Sequence, residues 1–61
     1  MNEKQIEALK ALAELINTAT WCQKLMLQKD KESFKTWHSF LIHDSKQAQD
    51  LIQEILEKTE H

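Results

Sequence analysis

The chain has 61 residues, a net charge of −2, one cysteine, and neither glycine nor proline. A lone cysteine excludes an internal disulfide, the negative balance argues against a bulk nucleic-acid binder, and no apolar run approaches membrane-spanning length. All eight basic residues are lysine, so the guanidinium fork that grips phosphate or guanine in two places is missing.

Strand formers are scarce, while Ala, Leu, Glu, Gln and Lys dominate, so the chain is expected to be all-α and a single helical domain over 1–61. From Ile6 to Leu27, apolar residues recur at helical spacing on one broad stripe: Ile6, Ala8, Leu9, Leu12, Leu15, Ile16, Ala19, Cys22 and Met26. This predicts a first helix over about 3–28.

The polar segment QKDKES follows, and the turn is placed at about 29–32. Asp30 is the expected cap of the next helix, because its carboxylate can accept from amides two or three residues on. A second stripe, Phe34, Trp37, Leu41, Ala48, Ile52 and Ile55, predicts a helix over about 33–59. Its weak point is Asp44–Ser45, where a break would give a three-helix bundle instead. The stripe keeps its phase across those residues, which favours one continuous helix.

Two helices of similar length fold as an antiparallel hairpin. The expected seam contains Leu9, Leu12, Ile16, Ala19 and Met26 from the first helix, and Phe34, Trp37, Leu41, Ala48, Ile52 and Ile55 from the second. Cys22 would face His38, and Ile16 would face the level of Asp44. So short a chain rarely builds a sufficient core alone, so a homodimeric four-helix bundle is expected. Charge suggests its orientation. Residues 24–35 carry four lysines against Asp30 and Glu32, whereas the open end carries Glu3, Glu7, Glu54, Glu57 and Glu60 against Lys4 and Lys58. Reversed ends place unlike charges together.

In length, hairpin form and turn position the chain resembles, in outline, the plasmid-encoded RNA-binding helical-hairpin dimers that control plasmid copy number. The resemblance implies a dimeric hairpin. It rests on no residue motif and carries no site residues.

Trp21 and Phe40 fall outside their stripes. With Leu25, Lys24 and Lys35 they form the expected partner-binding surface, in the half of the hairpin nearest the turn. No glycine-rich loop, metal-ligand spacing or carboxylate pair accompanies them, so no catalytic residue, cofactor or metal is expected. Cys22 reads as a small buried residue, and it fits a reducing, cytoplasmic setting. The expected function is therefore a non-enzymatic regulator or inhibitor that binds itself and a larger protein. The alternative is a nucleic-acid or nucleotide binder using Lys24, Lys29, Lys31 and Lys35. Asp44, at the edge of the second stripe, is a candidate for fixing helix register.

Overall fold

The computed structural model describes residues 1–59. Helix α1 (Glu3–Leu27) and helix α2 (Lys31–Thr59) pack side by side as an antiparallel hairpin about 47 Å long. Asn2 opens α1 with a reciprocal cap: the Gln5 N–H donates to Asn2 Oδ1 at 2.9 Å, and the Asn2 N–H donates to Gln5 Oε1 at 3.1 Å. Two of the four amides left unpaired at a helix start are satisfied this way.

The turn takes three residues and needs no glycine. Gln28 ends α1, and Lys29 swings into the left-handed region with φ 60°. Its N–H bonds the Met26 carbonyl while the Asp30 N–H reaches back to Leu25, both at 3.1 Å. This pair of bonds is the Schellman closure, in which glycine usually takes the left-handed position because a Cβ there costs roughly 1 kcal/mol. Asp30 then starts α2: its Oδ1 accepts from the Ser33 N–H at 3.2 Å and its carbonyl accepts from the Phe34 N–H at 3.0 Å. With Asp30 as the cap, α2 starts at Lys31, two residues before the position read from the sequence.

Helix α2 runs unbroken through Asp44 and Ser45, so the three-helix alternative does not hold. Asp44 is half-buried, and the Thr18 hydroxyl donates to its Oδ2 at 2.8 Å across the seam. A carboxylate with a partner across the interface has no need to break its own helix. At the open end, Lys4 Nζ meets Glu54 Oε2 at 3.1 Å. That hydrogen bond and the attraction of unlike charges lower the Glu54 carboxyl and raise the Lys4 ammonium from their ordinary values. Both side chains remain well solvated, so the contact helps set register rather than hold the helices together.

The seam differs from the expected one. On α1 the residues turned toward α2 are Lys4, Ala8, Ala11, Leu15, Thr18, Cys22 and Leu25, in alternating steps of four and three. Leu9, Ile16, Ala19 and Met26, expected in the seam, are exposed. Leu12 is half-buried between the two lines. On α2 the line is Phe34, Trp37, Leu41, Asp44, Ala48, Leu51 and Ile55, with Ile52 on its flank. Ala48 is fully enclosed, and Trp37 lies at the edge, more than a third exposed.

The reason is steric. The broad stripe of α1 is wider than one interface and contains two such lines, one mostly of small residues (Ala8, Ala11, Thr18, Cys22) and one mostly of large (Leu9, Leu12, Ile16, Met26). The hairpin buries the small line, whose short side chains leave room for the bulky line of α2. The resulting core is thin. Among the described residues Leu25 is the one large apolar side chain that is buried, and its companions are Ala8, Ala11, Cys22 and Ala48.

Candidate interaction site

A helix advances about 40° for every four residues, in the same sense along each chain. In an antiparallel pair, the flank four residues ahead of each seam therefore comes to one face of the hairpin. The flank four residues behind comes to the other. Two surfaces follow, and they are chemically unlike.

The first face carries Leu9, Leu12, Ile16, Ala19 and Met26 of α1 beside His38, Ile42, Ser45, Ile52 and Leu56 of α2. All six charged residues of α1 (Glu3, Lys4, Glu7, Lys10, Glu14 and Lys24) sit on the seam line or the opposite flank. On α2, Lys31 and Lys35, one turn apart, are the charged residues that border this face, both at its turn end. Leu9, Ile16, Met26, Ile42 and Leu56 are each between 49% and 65% exposed. Together they offer on the order of 500 Å² of apolar surface, toward the top of the range for the largest patch on a monomer.

The second face carries the aromatic cluster. Trp37, at the seam edge, meets Trp21 edge-on with ring centroids 6.3 Å apart, and meets Phe40 edge-on at 5.3 Å. Lys24 Nζ lies 5.3 Å from the centroid of the Trp21 ring, within cation–π range. The three aromatics remain 37–49% exposed. Beside them Asn17, Thr18, Thr20, Trp21 and Trp37 line an open groove of about 330 Å³. The Thr20 and Thr36 hydroxyls are already given to the Ile16 and Glu32 carbonyls of their own helices, so neither needs a polar partner.

Of the expected partner-binding residues, Trp21, Phe40 and Lys24 come together on this face. Two do not. Leu25 is buried in the seam, 6% exposed, because it stands seven residues beyond Thr18 on the same line. Lys35 precedes Phe40 by five residues, about 140° around α2, and so lies on the other side. Trp37, expected as core, joins the two exposed aromatics into one surface. The signal for this was present: Trp37 and Phe40 are three residues apart and must share a helix face.

Cys22 is buried, whereas His38 is exposed and stacked on Phe34 at 5.4 Å. The two do not share an environment. Among the described residues, no three His, Cys, Asp or Glu side chains are grouped to hold a metal ion. No helix among them is long and apolar enough to cross a membrane. No family model, curated protein or solved structure matches the chain.

Proposed function

We propose that this protein is a non-enzymatic interaction module, a small regulator or inhibitor that binds itself through the uncharged face and a larger protein through the aromatic face. One observation carries the reading. Among the described residues the hairpin buries a single large apolar side chain within itself, yet it exposes large apolar side chains on two opposite faces. An isolated hairpin gains nothing from leaving so much apolar surface in water.

Self-association builds an antiparallel four-helix bundle with the turns at opposite poles. The turn pole carries Lys24, Lys29, Lys31 and Lys35 against Asp30 and Glu32. At the open pole the described charges are Glu3, Glu7, Glu54 and Glu57 against Lys4 and Lys58. Reversal sets each basic turn beside an acidic open end, and the apolar faces supply the binding energy.

Capture of a target protein on immobilised wild type, Trp21→Ala and Ile16→Glu chains tests the reading. The expected result is a specific binder that persists at raised salt and is lost with Trp21→Ala. Binding that falls steeply with salt and ignores Trp21→Ala would favour the lysine-dependent nucleic-acid alternative.

A further inference from the structure

The self-association proposed above has a geometric consequence for the aromatic face. Trp21 and Phe40 stand four residues behind the seam positions Leu25 and Asp44, and the uncharged face lies ahead of the seam on both helices. Whatever packs on the uncharged face leaves the cluster pointing outward. In a bundle with reversed turns, the two clusters lie on opposite outer sides and toward opposite poles.

We infer that the aromatic groove is a docking site for one amphipathic helix with apolar anchors and acidic flanks, and that the dimer holds two such helices at once. This rests on the proposed self-association for its count of two, but not for the site itself. The groove between two parallel-lying helices has the shape that a third helix fills. The cluster spans both walls, with Trp21 on α1 and Trp37 and Phe40 on α2, so an apolar anchor seated there touches both helices. Trp and other rigid aromatics commonly dominate such contacts.

The acidic preference comes from Lys24. Its ammonium sits over Trp21 at the rim, where an incoming carboxylate finds a cation and an incoming lysine is repelled. Around it Asn17, Thr20 and Thr36 are uncharged, and the Asp44 carboxylate beside the groove is half-buried and already accepts from the Thr18 hydroxyl. Glu14, ten residues from Lys24 and about 15 Å along α1 toward the open pole, confines that preference to the end of the docked helix nearest the turn.

Both tryptophans of the chain belong to this cluster, so intrinsic fluorescence reports on this face alone. The test titrates the full chain with a short stapled helical peptide bearing leucine on one face and glutamate on the other, and with its leucine–lysine counterpart. Sedimentation measures the mass of each complex. The glutamate peptide is expected to shift the fluorescence and saturate at one peptide per chain, with the dimer intact. The lysine peptide binds at least tenfold more weakly, Phe40→Ala loses tenfold or more, and Lys24→Glu reverses the preference.

A dimer that ignores both peptides overturns the docking site and leaves self-association standing. Saturation at one peptide per dimer, or peptide that splits the dimer, overturns the outward placement. Single chains that each take one peptide overturn the count of two, and self-association with it, while upholding the groove.

Discussion

The two faces of this hairpin are built from the same two helices yet differ in every property that selects a partner. One is aliphatic, nearly free of charge and runs the length of the molecule. The other gathers its aromatic residues near one pole, under a lysine, and turns to mixed charge beyond Glu14. A long uncharged aliphatic surface suits a second copy of itself, which brings the same shape and adds no unpaired charge. A compact aromatic cluster with one cation suits a partner with a few anchors. Two surfaces on opposite sides allow two occupants at once.

Substitutions that act on one face and not the other sharpen the contrast. Ile16→Glu is expected to act most strongly, because it places a carboxylate in the middle of the uncharged face. Sedimentation should show at least about a 100-fold weaker dimer, on the cost of burying an unpaired charge. Trp21→Ala should leave the mass unchanged.

The next effect separates seam from face. Leu25→Ala is expected to cost about 2–5 kcal/mol in denaturant unfolding, because it opens a cavity in a core with one large side chain. Its exposed neighbour Met26, truncated to Ala, should act mainly through the concentration dependence of the melt. The Thr18–Asp44 pair is a smaller term with an asymmetry. Thr18→Ala strands a half-buried carboxylate and should cost about 1–3 kcal/mol. Asp44→Leu should cost less, because the freed hydroxyl can turn to the Glu14 carbonyl of its own helix. If Asp44→Leu also leaves oligomer and pairing unchanged, Asp44 does not fix register. The smallest change has the opposite sign: Lys29→Gly is expected to stabilise by about 1 kcal/mol, as glycine removes the left-handed penalty at the turn.

Helix type, the place of the turn and the Asp30 cap were legible in the sequence because each depends on neighbours a few residues away. The Asn2–Gln5 cap was equally local, but asparagine and glutamine stand there in place of the commoner hydroxyl and carboxylate. The seam was not fully legible. Periodicity gave the direction of the α1 stripe but not which of its two lines meets α2. That choice depends on the bulk of the facing side chains, which no window along one helix contains. For this reason Leu25 reads as an exposed contact residue in the sequence and is buried in the fold. The same arithmetic places Trp37 in the core, although a seam-edge ring can pack on Trp21 and Phe40 and still face water.

The most direct test places a cysteine at Ile16 in a Cys22→Ala background and exposes the protein to mild oxidation. Ile16 lies near the middle of α1, so in a bundle with reversed turns it meets its own copy across the two-fold axis. A helical, disulfide-linked dimer is the expected product, while Phe40→Cys in the same background stays unlinked. Linkage through position 40 and none through position 16 would put the aromatic face inside the assembly and contradict the account.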